Sequence, residues 1–221
     1  MKLEACIFDL DGVIVDTAKY HFIAWQRLAE QLKINFTEED NERLKGVSRM
    51  DSLEIILEIG GLKMGRKKME EYSSLKNKWY VDLISKMTPD EILPGSIEFI
   101  TEAKKAGLKT AIGSASRNTP LILRRVEIEK LFDVVADGNV VHKAKPDPEV
   151  FLVAADMLKT EPANCIVFED AIAGVRAALN AGMVCVGIGS RKILAEAHDV
   201  VPGLNMMNIY KLREIEKTVR V

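Results

Sequence analysis

The stretch IFDLDGVIVD, Ile7 to Asp16, sets two carboxylates, Asp9 and Asp11, two residues apart at the end of an apolar run, and a third, Asp16, where the apolar residues stop. On extended backbone, residues two apart point to the same side, so Asp9 and Asp11 project together from a strand end. Two such charges repel, and either a shared proton or a bound cation relieves the repulsion. An oxygen-rich site of this kind suits Mg²⁺, which takes few protein ligands and keeps water and phosphate oxygens around it. Asp11-Gly12 also reads as a plain turn. Asp16 precedes a helical pattern, and its favoured role is the N-cap.

Three more segments place chemistry-bearing groups just after apolar bursts. AIGSAS puts Ser114 beyond one such burst, where a hydroxyl and neighbouring backbone N–H groups can meet a phosphate oxygen. In KAKPDPEVF, Pro146 keeps Lys145 extended, and a helix starts at Asp147-Pro148. CIVFEDAIAGV ends a burst on Glu169-Asp170 and adds carboxylates at another strand edge. Singly, each is an ordinary surface signal. Together they bring a nucleophile or metal ligand, an acid–base group, a hydroxyl, a lysine and further metal ligands to one edge of a sheet.

The elements that must position these groups follow from periodicity. Short buried-strand bursts occur at Leu3–Phe8, Leu108–Ile112, Val134–Ala136, Cys165–Phe168 and Val184–Ile188, and helical patterns at Ser96–Ala106, Pro120–Glu127, Pro148–Leu158 and Ile172–Ala181. Gly107 and Gly182 stand where left-handed helix stops belong. The expected fold is α/β, a Rossmann-like doubly wound parallel sheet, whose ligands bind at the carboxyl ends of the strands. Between the first two bursts the strand rhythm breaks, and amphipathic stripes (Phe22, Trp25, Ala29, Leu32; Leu53, Leu57; Met69, Tyr72, Trp79, Leu83) predict an inserted all-helical cap. The seams fall at Asp16-Thr17 and at TPDEILPG, Thr88 to Gly95, giving a core of residues 1–16 and 91–221 and a cap of 17–90 hinged to act as a lid.

FDLDGVIVDT, GSAS, KPDP and FEDAIAGVRAALNAG resemble the four motifs of the haloacid dehalogenase superfamily of phosphotransferases. The resemblance implies that Asp9 attacks phosphorus to form an aspartyl phosphate, and that Asp11 is the general acid and base. It places Mg²⁺ on the Asp9 carboxylate, the Asp11 carbonyl and Asp170, with Glu169 assisting through water. Ser114 and Lys145 would bind the transferring phosphoryl group, with Ala115 beside them.

In the inserted stretch, Lys76 lies within the third apolar stripe and faces inward unless its stem snorkels out, and His21 sits near its own helix's apolar face. In LKGVSRMDS a loop at Gly46-Val47 leads into a helix that Ser48 can cap with Asp51, while Arg49 and Ser52 share a face. A surface salt bridge explains Arg49 equally well. This stretch, with DTAKYHFIAW ahead and KNKW behind, is similar to the branch of the superfamily that moves a phosphoryl group between two hydroxyls of one sugar. The implied reaction interconverts β-D-glucose 1-phosphate and β-D-glucose 6-phosphate through a bound β-glucose 1,6-bisphosphate. Arg49 would hold the phosphate not being transferred, aided by Ser116, Arg117 and Asn118. Lys45, Gly46, Val47, Ser52, Lys76 and His21 would line the sugar or close the lid, and Thr17 would help position Asp11.

Composition narrows the partners. The 221 residues carry a formal net charge of -2, which gives no field to gather nucleic acid. The first periodic segment begins at Leu3, leaving no room for a signal peptide, and no apolar run approaches the ~20 residues of a membrane span. Cys6, Cys165 and Cys185 have no CxxC pairing and read as buried free thiols, so the expected compartment is the cytoplasm. The expected ligand is a small sugar phosphate, with a monomer as the working expectation. Two rivals share the core chemistry: a Mg²⁺-dependent phosphatase of small sugar phosphates, which lets water attack the aspartyl phosphate, and a non-enzymatic phospho-acceptor module, which has no need of a large helical insertion.

Overall fold

The computed structural model describes residues 2–219, so residues 1 and 220–221, the outermost of the expected core, lie outside the described residues. Strands β1 (Ala5–Phe8), β2 (Lys109–Gly113), β3 (Val134–Ala136), β4 (Cys165–Glu169), β5 (Val184–Ile188) and β6 (Asp199–Val201) form one sheet in the order β3-β2-β1-β4-β5-β6. Every pairing is parallel, with Phe8 opposite Ile112 on one side and Phe168 on the other. β1, β4 and β5 are buried along their whole length, because helices cover both faces of the sheet.

One face packs Phe8 and Phe168, stacked 4.8 Å apart, against α5 (Ser96–Lys105), α6 (Thr119–Arg125) and α9 (Ile209–Val219). On the other, Ile7, Val167 and Cys185 pack against α7 (Glu149–Met157) and α8 (Ile172–Asn180). The alternation of Ile7 and Phe8 between the two clusters is the period-2 rule of a strand. β1 starts at Ala5 and not at the expected Leu3, whose N–H donates to Glu216 Oε1 at 2.6 Å. The edge strand β6 and the last helix were not anticipated, since three residues at an edge give too short a pattern to read.

Between β1 and β2 the chain forms α1 (Ala18–Gln31), α2 (Glu38–Glu42), α3 (Arg49–Ile59) and α4 (Arg66–Ile84), which share an apolar cluster of Trp25, Leu28, Phe36, Leu53, Ile56, Leu57 and Met69. The expected stripe on α4 is rotated: the buried residues are Met69, Ser73, Lys76, Tyr80 and Ile84, while Tyr72, Trp79 and Leu83 are half-buried. Met69 and Lys76 face inward as expected, and a pattern that counts only apolar residues misses the buried Ser73 between them. The expected N-cap at Asp16 is also corrected. α1 begins one residue later, with Thr17 at the cap position and no side-chain cap bond. The Thr17 hydroxyl donates instead to the Asp11 carboxylate, and the half-exposed Asp16 lies 3.9 Å from Lys19.

Candidate active site

Neighbouring strands progress in opposite directions from β1, so the crevice where ligands bind in such sheets opens at its carboxyl end. Asp9 is the first residue beyond β1, and its N–H donates to Phe168 O at 2.9 Å. Ser114 follows β2, Glu169 ends β4, and Asp170 follows it. The chain then doubles back through a tight loop in which Gly12 donates to Val15 O, and Gly12 has φ +79°. A Cβ there would lie 2.2 Å from Asp170 Oδ2, so both the backbone angle and the close carboxylate require glycine. The turn reading and the chemical reading of Asp11-Gly12 are therefore one structure: the turn admits Asp170.

Lys145 is buried on the loop after β3, with Nζ 2.6 Å from Asp9 Oδ1 and 2.7 Å from Glu169 Oε2. Burial disfavours its charge, but the two carboxylates overcome that penalty and raise its pKa. Oxygens of Asp9, Glu169 and Asp170 lie within 4.8 Å of one another. Burial, then the charges of Glu169 and Asp9, push Asp170 well above the usual carboxylate range. Burial also raises Glu169, to about 7 against the pull of Lys145. Three clustered acids with one lysine among them leave negative charge uncompensated, and an all-oxygen donor set of this kind fits a hard divalent cation. Asp11 sits partly buried beside them, raised to about 6 by burial and by Asp9, with the Thr17 hydroxyl pulling the other way. Lys45 is near enough to Asp170 to favour its charged form, and also pairs with Glu42 at 2.9 Å.

Ser114 is buried, and its hydroxyl accepts the Ser116 N–H at 3.2 Å, folding the 114–118 loop back on the strand end. Within that loop, the Ser116 hydroxyl accepts the Asn118 N–H at 3.2 Å, and Arg117 Nε donates to Gly138 O at 3.0 Å. The Ala115 carbonyl lies against Gly138, where a Cβ would come within 2.4 Å of it.

A second cationic group forms on the helical side. Arg49, at the start of α3, has its pKa lowered by burial and then by the charge of Arg117. Lys76 is buried, with Nζ 3.0 Å from His21 Nδ1 and over the rings of Trp25 and Tyr80 at 4.5 and 4.6 Å. Burial and then Arg49 drive Lys76 well below its ordinary pKa, and burial, Lys76 and Arg49 do the same to His21. A dianionic phosphate bound beside these crowded basic groups would favour their charged forms and be held by them. Ser48 caps α3 through the Asp51 N–H at 3.2 Å and gives its hydroxyl to the Asp51 carboxylate, half of the expected capping box. The Ser52 hydroxyl is turned back onto Ser48 O at 2.9 Å. Val47 is half-buried next to Gly46, whose position would put a Cβ 2.8 Å from Ala171 Cβ, so this loop rests on the start of α8.

Sequence reasoning missed residues that hold the site's parts in place. Asn118 Nδ2 donates to Asn77 Oδ1 at 3.0 Å, tying the core loop to α4. After β3, Asp137 accepts from Asn139 N and Nδ2, and Asn139 Nδ2 also donates to Arg117 O at 3.1 Å. The signal was present as Asp-Gly-Asn at a strand end, a turn sequence whose aspartate bonds its own backbone two residues on.

The family model of haloacid dehalogenase-like hydrolases matches residues 3–182. The chain is 44% identical over 221 residues to the β-phosphoglucomutase of Bacillus subtilis, covering 99% of this chain and 98% of that protein. It is 32% identical to a phosphorylated carbohydrates phosphatase of Thermotoga maritima over 95% of this chain and 99% of that one. A crystal structure of a β-phosphoglucomutase from Clostridium difficile superposes with a TM-score of 0.94 at 39% identity, covering 99% and 100% of the two chains.

Proposed function

Because the chain belongs to the haloacid dehalogenase-like hydrolases, we propose that it works as their β-phosphoglucomutase members do, as a phosphotransferase of the isomerase class interconverting β-D-glucose 1-phosphate and β-D-glucose 6-phosphate. The observation that carries this reading is a second basic group, Arg49 with the buried Lys76 on the helical insertion, besides the Lys145 that pairs with Asp9, because a mutase must hold one phosphate of a bisphosphate while it transfers the other. A phosphatase needs one grip only.

In this reading the free 6-hydroxyl of β-glucose 1-phosphate attacks the phosphorus of the Asp9 aspartyl phosphate and gives its proton to Asp11, the Asp9–phosphoryl bond breaks, and the bound bisphosphate forms. After the bisphosphate reorients, an Asp9 oxygen attacks its 1-phosphoryl group, the P–O bond to the sugar breaks, and the departing sugar oxygen takes the proton back from Asp11, so glucose 6-phosphate leaves and the aspartyl phosphate is regenerated. Lys145 and Ser114 offset charge on the transferring group, and Thr17 holds Asp11. Asp9, the Asp11 carbonyl, Asp170 and Glu169 would hold Mg²⁺, which supplies charge neutralisation at the phosphoryl oxygens. Arg49, Ser116, Arg117 and Asn118 hold the distal phosphate, while Lys45, Gly46, Val47, Ser52, Lys76 and His21 face the sugar.

Residues 17–90 act in this scheme as a lid over a core of 1–16 and 91–221, and contacts such as Asn77–Asn118 close it. Closure lets a sugar hydroxyl outcompete water for the aspartyl phosphate. A cytoplasmic location accords with three buried free thiols and with the absence, among the described residues, of a helix long and apolar enough to cross a membrane. The test supplies β-glucose 1-phosphate, Mg²⁺ and a trace of bisphosphate and compares glucose 6-phosphate with inorganic phosphate. Glucose 6-phosphate should dominate; dominant phosphate release assigns a phosphatase instead.

A further inference from the structure

Among the described residues, two buried side-chain atoms lack a hydrogen-bond partner, Asn164 Oδ1 and the Tyr80 hydroxyl. Asn164 precedes β4 at the amino-terminal edge of the sheet, where its amide donates to Glu4. Tyr80 is different. It is 1% exposed and lies on α4, yet it packs with the apolar cluster of the sheet as well as against the His21 ring, 4.1 Å away between centroids. His21, on whose ring it packs, donates its N–H to Thr17 O at 3.1 Å, so Tyr80 lies one helical turn from the Thr17–Asp11 pair, and burial and then the Asp11 charge push its pKa well up. It is therefore a neutral O–H donor at working pH. A buried hydroxyl with no partner costs stability that phenylalanine in the same place would not, so its retention calls for a reason.

Counting donors supplies one. Thr17 Oγ1 has one proton and two lone pairs, and that proton goes to Asp11 Oδ1. A hydroxyl approaching Thr17 can then only donate. We propose that Tyr80 is a positioning residue for the acid–base carboxylate: its hydroxyl, unpartnered in this structure, donates to Thr17 Oγ1 once the helical insertion closes on substrate, and so holds the Thr17 proton on Asp11. The chain Tyr80 to Thr17 to Asp11 runs in one direction, and each bond polarises the next. Because Tyr80 comes from α4 while Thr17 and Asp11 follow β1, the chain is complete only with the helical insertion seated. The acid–base group is then aligned after the sugar is enclosed. This assignment rests on the acid–base role of Asp11 given above.

The experiment is a double-mutant cycle of Tyr80→Phe and Thr17→Val, assayed with β-glucose 1-phosphate, Mg²⁺ and trace bisphosphate, with Tm measured on each protein. Tyr80→Phe should lower kcat about 10-fold, the rate equivalent of one hydrogen bond, with KM within about twofold and Tm unchanged or higher. In the Thr17→Val background the same change should cost less than about twofold, since the link it serves is already gone. The proposal is overturned by a parent-like kcat in Tyr80→Phe, by the full loss recurring in the Thr17→Val background, or by a Tm that falls in step with kcat. If the parent enzyme releases phosphate and forms no glucose 6-phosphate, the mutase reading alone fails, and the cycle is read on the phosphate-release rate with the same thresholds.

Discussion

The Lys145 ammonium lies 2.6 Å from Asp9 Oδ1, and both side chains are buried. With Glu169 Oε2 2.7 Å away, one lysine is shared by two carboxylates that β1 and β4 thrust into the same crevice. Lys145→Met therefore strands two buried acids. Loss of one partner from a buried ionic cluster costs roughly 3–5 kcal/mol, and added Mg²⁺ should recover part of that by taking over the charge. Thermal unfolding with and without the metal checks this; an unchanged midpoint in the variant would contradict the arrangement. Removal of the metal by chelation should abolish turnover in the parent.

Burial and then the Arg117 charge lower the Arg49 pKa, a repulsion that a bound anion would relieve. Arg49→Ala should lower isomerisation roughly 10- to 100-fold, the value of charge-assisted bonds, and slow phosphate release far less. Equal losses of both outputs would remove Arg49 from the distal site. Asp9→Asn, by contrast, should abolish both.

Gly46 has φ +73° and would place a Cβ 2.8 Å from Ala171 Cβ. Gly46→Ala should hold the helical insertion off the core and raise the ratio of phosphate release to isomerisation, because water then reaches the aspartyl phosphate. Adding Ala171→Gly should restore part of the ratio by removing the clash, while the backbone strain of about 1 kcal/mol remains. A ratio unaffected by either change would show that this contact does not govern closure.

Asp133 accepts from Thr110 N at 2.7 Å and from Lys104 Nζ at 2.6 Å. Burial works against its charge, but these donors prevail and its pKa is lowered. A lowered folded pKa gives stability that is fully present above the unfolded carboxyl value of about 3.9 and is lost as pH falls through the folded one. Asp133→Ala should therefore cost about 1 kcal/mol at neutral pH, chiefly the unpaired Thr110 N–H, since the half-exposed ion pair adds little. The difference from the parent should close in acid. Urea unfolding at pH 7 and pH 3 measures both, and a gap that widens in acid would reverse the assignment.

The strands and most helices of the sheet were legible because burial on two faces leaves uninterrupted apolar runs such as Cys165–Phe168, bounded by turn residues. The four groups Asp9, Ser114, Lys145 and Glu169-Asp170 were legible for the same reason, each standing next to the end of such a run or to a proline. Boundaries shifted where a side chain had a better use. Thr17 gives its hydroxyl to Asp11, and so neither it nor Asp16 caps α1 with a side chain. On the inner face of α4 the inward Lys76 was legible, while Ser73, Tyr80 and Ile84 were not, because a buried serine breaks the apolar pattern and two faces one residue apart share the same period.

By itself the sequence determined which residue types stand at the carboxyl edge of the sheet, since local periodicity and turn chemistry are properties of neighbours along the chain. Only the tertiary structure decided which of them meet. That Lys145 bridges Asp9 and Glu169, that Lys76 meets His21, and that Asn118 meets Asn77 are contacts between segments far apart in the chain. Charge and burial act through space, so the same acids and bases acquire their pKa values and partners only once the sheet order and the seating of the inserted helices are fixed.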